Sequence, residues 1–111
     1  MSARIVLTDT TKLAIIEQWE YYAAKQDAAL ADRLEHAIGS AIESLRESSS
    51  RGMGCRLASR NLTSLRWIPV QGFPYRIFFV FDLTANLVVI VHMLHDKREI
   101  ADLLELAVRE I

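Results

Sequence analysis

The chain has 111 residues, 51% of them hydrophobic and 24% charged, enough for a single domain with one core and too apolar for intrinsic disorder. A formal net charge of −1, taken alone, speaks against a nucleic-acid binder. The average hides a segregation, because residues 1–50 carry −3, residues 51–76 carry +5 and residues 77–111 carry −3. The middle segment holds Arg51, Arg56, Arg60, Arg66 and Arg76 and no acid. Arginine forks bind phosphate or carboxylate bidentately, so this segment points to an anionic partner.

In chain order, Arg4–Thr8 is a short β-rich opening. Asp9 or Thr10 is placed to cap the helix that follows, and Leu13, Ile16, Trp19 and Ala23 recur at helical spacing as its inner stripe. Asp27 is placed to cap a second helix. There Leu34, Ile38, Ala41, Ile42 and Leu45 form a clean apolar face, and Gly39 suggests close packing. The short link makes the pair a helical hairpin. Residues 48–54 read as a loop by composition. Asn61–Val70, Tyr75–Asp82 and Leu87–Leu94 then read as three strands of an antiparallel meander, joined by Gln71–Pro74 and Leu83–Asn86. The second and third strands are apolar on both faces, which predicts cover on both faces. The helical hairpin supplies one cover and a last helix over Glu99–Ile111 part of the other. Apolar surface left bare would mark a partner site or a homodimer interface. The expected order is β-α-α-β-β-β-α, an α+β domain with a helical hairpin packed on a mainly antiparallel sheet.

Cys55 is the one cysteine, so no internal disulfide forms, and no signal-peptide pattern opens the chain. Both readings point to the cytoplasm. Cys55 has no base beside it in sequence and reads as a spectator thiol. No apolar run nears the roughly 18 residues of a membrane helix. His36, His92 and His95 lack Cys or carboxylate neighbours at ligand spacing, so neither a metal nor another cofactor is implied. His36 reads as a boundary residue of the second helix, and three-residue spacing puts His92 and His95 on opposite faces of a strand. Asp96-Lys97-Arg98-Glu99 fits a capping box that puts Lys97 and Arg98 in the first turn of the last helix. Two cations beside free N–H groups make that turn a candidate anion site.

Leu65-Arg66-Trp67-Ile68-Pro69-Val70-Gln71-Gly72-Phe73-Pro74-Tyr75-Arg76-Ile77-Phe78-Phe79 resembles the strand–turn–strand signature of ParE-type toxins in the ParE/RelE superfamily. Val91-His92-Met93-Leu94-His95-Asp96-Lys97-Arg98-Glu99-Ile100 resembles that family's last strand and its junction to the final helix. Asp96 stands where a Gly is usual. The resemblance spans nearly the whole of 1–111 as a single toxin domain. It implies the toxin of a type II toxin–antitoxin pair, neutralised by a cognate antitoxin protein.

In the ParE branch the implied target is DNA gyrase, inhibited by binding and without chemistry. In the RelE branch the toxin is a metal-independent endoribonuclease acting on mRNA in the ribosome. Such cleavage needs a base for the 2′-OH, cations for the phosphate and an acid for the leaving oxygen. By resemblance Arg76 and Arg98 match arginine positions of the ribonuclease branch, and His95 could serve as acid or base only by turning toward Arg76. The ribonuclease branch often carries a Tyr or His near the chain end, and Glu99–Ile111 holds neither. Lys12, Lys25 and Lys97 are the only lysines, where a ribosome-bound protein is expected to be strongly basic. The sequence therefore favours the gyrase inhibitor, a protein that is not an enzyme. Arg60, Arg66, Arg76, Lys97 and Arg98 are the candidate partner-binding residues.

Overall fold

The computed structural model describes residues 2–25, 27–47, 53–54, 65–82 and 84–96. Among the described residues seven elements follow in chain order: β1 (Arg4–Leu7), α1 (Asp9–Lys25), α2 (Ala28–Glu47), β2 (Met53–Gly54), β3 (Arg66–Pro69), β4 (Tyr75–Asp82) and β5 (Leu87–His95). The strands form one sheet in the order β1-β5-β4-β3-β2. Its pairs are antiparallel except β1–β5, which is parallel. The fold is thus the expected α+β arrangement, a helical hairpin on a mainly antiparallel sheet. The expected final helix and most of the Arg-rich loop lie outside the described residues. Among the described residues no helix is long and apolar enough to cross a membrane.

The helical hairpin forms as the sequence suggested, with two corrections in α1. The first concerns its cap. Thr8, one residue before the expected caps, accepts the Thr11 N–H on its hydroxyl (3.2 Å) and the Lys12 N–H on its carbonyl (3.0 Å). The second concerns its rotation. Leu13 and Ile16, expected inside, are 57% and 53% exposed. Thr11, Ile15 and Tyr22 face the core instead. The fully buried Thr11 hydroxyl donates to the Ile90 carbonyl at 2.9 Å, and the Thr8 hydroxyl donates to the Val91 carbonyl at 3.1 Å. These bonds to β5 fix which way α1 turns.

In α2 the expected apolar face is the buried one. Leu34, Ile38 and Leu45 are in the core, with Ala41 and Ile42 packed against it. Gly39 is not a close-packing position: a Cβ there would meet nothing within 4 Å, and the residue is exposed. Asp27 caps α2 as expected, its carboxylate accepting the Leu30 N–H at 2.7 Å. That cap is exposed, so Asp27→Ala is expected to cost about 1 kcal/mol. Urea denaturation would measure it.

Both faces of the sheet are packed. On the helix side lie Ile68, Tyr75, Ile77, Phe79, Val88, Ile90 and Met93. On the far side Leu65, Phe78, Val91 and Leu94 are buried in a second cluster, with Trp67, Val80 and Val89 partly buried against it. Among the described residues the exposed large apolar ones are Val6, Leu13, Ile16 and Tyr21. A bulge interrupts β4–β5 between Phe78 and Phe79. It leaves Val91 without a register partner on β4. Before it, Val88 and Ile90 face the helices, and beyond it Met93 does. The bulge thus keeps an apolar series on the helix side along all of β5.

The N-terminus is tied at both sides of β1. Ala3 donates its N–H to the Arg46 carbonyl (2.9 Å), and the Arg46 guanidinium reaches back to the Ala3 carbonyl (3.4 Å). Ser2 bonds Glu47. The Asn86 side chain holds the Ser2 carbonyl at 3.1 Å.

Candidate functional site

The strand–turn–strand segment is built on one glycine. The Phe73 N–H donates to the Val70 carbonyl at 3.1 Å, and Gly72 sits at φ +86°. A side chain there would be strained, and glycine is not. The turn brings β4 back with Ile68 opposite Ile77 and Pro69 opposite Arg76. Beyond it, Asp96 donates its N–H to the Pro74 carbonyl at 3.0 Å, so the end of β5 is fastened to the same turn.

Cross-strand partners share a face, and this sorts the candidate residues. Arg76 pairs with Leu94 and lies on the far side from the helices, while Tyr75 pairs with His95 on the helix side. Arg66 pairs with Phe79 and lies on the helix side, exposed. Arg66 and Arg76 therefore point to opposite faces of the sheet. So do Arg76 and His95. Arg60, Lys97 and Arg98 lie outside the described residues.

On the far side the Arg76 guanidinium lies over the Trp67 ring, 4.3 Å from its centroid. Stacking uses the flat face of a guanidinium and leaves the N–H donors, which lie in the guanidinium's own plane, available for hydrogen bonds. That arrangement suits a carboxylate or phosphate. The sequence put Arg76 forward without Trp67. The spacing that joins them depends on the length of the Gln71–Pro74 turn.

On the helix side is a second polar cluster, which sequence reasoning missed. Tyr75 donates its hydroxyl to Gln18 Oε1 at 2.5 Å. Its ring meets His95 edge-on at 5.5 Å and Tyr22 at 6.5 Å, and Tyr22 meets Tyr21 at 5.6 Å and Phe73 at 5.8 Å. Burial first, then the neighbouring hydroxyls of Tyr22 and Tyr21, pushes the Tyr75 hydroxyl well above its ordinary range. It stays protonated, a donor rather than a base. His95 Nδ1 lies 3.4 Å from Asp96 Oδ1. An open cleft of about 650 Å³ runs between α1 and this end of β5. The Tyr21-Tyr22 pair was the one signal of it in the sequence.

His92 accepts the Met93 N–H on Nδ1 at 2.9 Å, and His36 is exposed on α2. Among the described residues no three His, Cys, Asp or Glu side chains gather as a metal site would require.

A helical hairpin on a sheet closed by a parallel N-terminal strand defines the class of fold, and comparison with known proteins agrees. The chain is similar over 85% of its length to 96% of a chain from the chromosomal ParDE toxin–antitoxin system of P. aeruginosa (TM-score 0.69, 13% identity). It is similar over 86% of its length to 92% of a chain of the toxin–antitoxin complex RelBE2 of Mycobacterium tuberculosis (TM-score 0.60, 18% identity). A free-state RelE mutant of E. coli matches over 100% of this chain and 99% of that one (TM-score 0.51, 15% identity). No curated protein matches the chain. The family described as ParE toxin of type II toxin–antitoxin system, parDE, matches residues 5–100. The chain belongs to this family.

Proposed function

We propose that the protein acts as a ParE-like toxin that inhibits DNA gyrase by binding, and that a cognate antitoxin neutralises it. The observation that carries the first half is the separation of Arg76 from His95 by the sheet. Phosphodiester cleavage without a metal needs a cation and a proton-transfer group at one phosphate. Here the stacked arginine and the histidine open onto different faces, so a binding role for Arg76 accounts for the geometry better than a catalytic one. The family match to ParE toxins supports the same branch. The antitoxin half is supported by the ParDE and RelBE2 relatives, which are toxin–antitoxin assemblies. Exposed Arg66 and half-buried Arg76 suit acidic side chains of such a partner.

The test runs two assays on the same purified protein, gyrase supercoiling and mRNA cleavage in a translating extract. Inhibited supercoiling with intact mRNA is the expected result. Cleavage that disappears in Arg76→Ala would overturn the proposal in favour of a ribosome-dependent endoribonuclease.

A further inference from the structure

The cleft between α1 and the end of β5 has a consistent chemistry. Tyr21, Tyr22 and Tyr75 line it with His95, Gln18 and Glu17. Among the described residues that line it, Glu17 is the one carboxylate and no Lys or Arg is present. The Asp96 carboxylate stands beside His95. The aromatic rings meet one another edge to face, at interplanar angles of 88° for Tyr21–Tyr22 and 82° for Tyr75–His95. In such pairs the rings are not stacked face on face, and a ring face is the electron-rich part of the ring. Tyr21 is 53% exposed, so about half of its surface is open to a ligand.

We infer that this cleft receives an arginine side chain presented by a partner polypeptide. A cation is attracted both to ring faces and to the Glu17 carboxylate. The guanidinium is preferred to an ammonium because it is flat and weakly hydrated. It can lie on a tyrosine face while its in-plane N–H groups reach a carboxylate or a tyrosine oxygen. The cleft lies across the sheet from the Arg76–Trp67 pair. The two sites have opposite preferences, anionic at Arg76 and cationic here. The inference holds whichever molecule the toxin inhibits.

The experiment titrates the full chain at pH 8 with N-acetylarginine methylamide while the Tyr22, Tyr75 and His95 ring signals are followed by NMR. The citrulline derivative, of the same shape but uncharged, is the control. Saturable shifts are expected with the arginine probe, and the citrulline probe should bind at least about fivefold more weakly, the scale of one cation–ring contact. Glu17→Gln and Tyr21→Ala are expected to weaken the arginine probe about threefold to fivefold each, again on that scale. Both residues are exposed, so both variants should fold. Glu43→Gln, on α2, should change nothing. Equal binding of the two probes, no saturable shift, or unaltered binding in Glu17→Gln would overturn the inference.

Discussion

Replacing Phe79 by Ala is expected to cost about 3–5 kcal/mol of folding free energy, the range for emptying a fully buried aromatic site. Phe79 is 0% exposed in the helix-side core. It sits on β4 with Arg66 on one side and Ile90 on the other, so neither neighbouring strand can move in to fill the void without breaking register. Domains of this size are stable by only about 5–15 kcal/mol. The urea midpoint should therefore fall by about 2 M at an ordinary denaturant dependence. Leu13→Ala is the internal control. Although Leu13 reads as core in the sequence, its exposure predicts a change within about 0.5 kcal/mol. A Leu13 effect as large as that of Phe79 would show that α1 is turned the other way.

Thr8→Ala is expected to cost about 2–3 kcal/mol, clearly more than loss of the Asp27 cap, because one hydroxyl serves two purposes. It accepts the Thr11 N–H at the start of α1 and donates to the Val91 carbonyl at the bulge of β5. Its removal uncaps a helix and also leaves a strand carbonyl without that donor. Thr8→Ser keeps the hydroxyl and should retain most of the stability. Denaturant midpoints of the two variants give the comparison. A cost for Thr8→Ala no larger than for Asp27→Ala would mean the Val91 bond contributes nothing.

The same two threonines explain where the sequence was legible. In α2 the buried face consists wholly of Leu, Ile and Ala, and periodicity identifies it directly. In α1 the buried face includes Thr11, and Gln18 turns toward Tyr75; their polar atoms are satisfied by Ile90 and Tyr75. A count of apolar residues passes over them and selects Leu13 and Ile16. Strand order followed from turn residues at Gly72 and Asn86, both at positive φ. The parallel pairing of β1 did not, because a four-residue strand carries no signal of its partner. The candidate site was legible as residue types and not as a place. Arg66, Arg76 and His95 stand out in the sequence as candidates, but their sorting onto two faces depends on register, and the Tyr75–His95 pairing lies beyond a bulge that no local pattern announces.

The parallel pairing of β1 with β5 also bears on when the protein can exist in its folded form. Thr8 and Val91, joined by a hydrogen bond, are 83 residues apart in the chain. On the ribosome, β1 and the helical hairpin emerge long before the strands that give them a surface to cover, and an isolated hairpin of this kind is marginal in water. The helix-side core closes only when Val88 and Ile90 have been made and have left the exit tunnel. The toxin therefore cannot acquire its working shape while most of it is still being synthesised. A nascent chain shortened before β5 should remain open to protease where the full chain resists it.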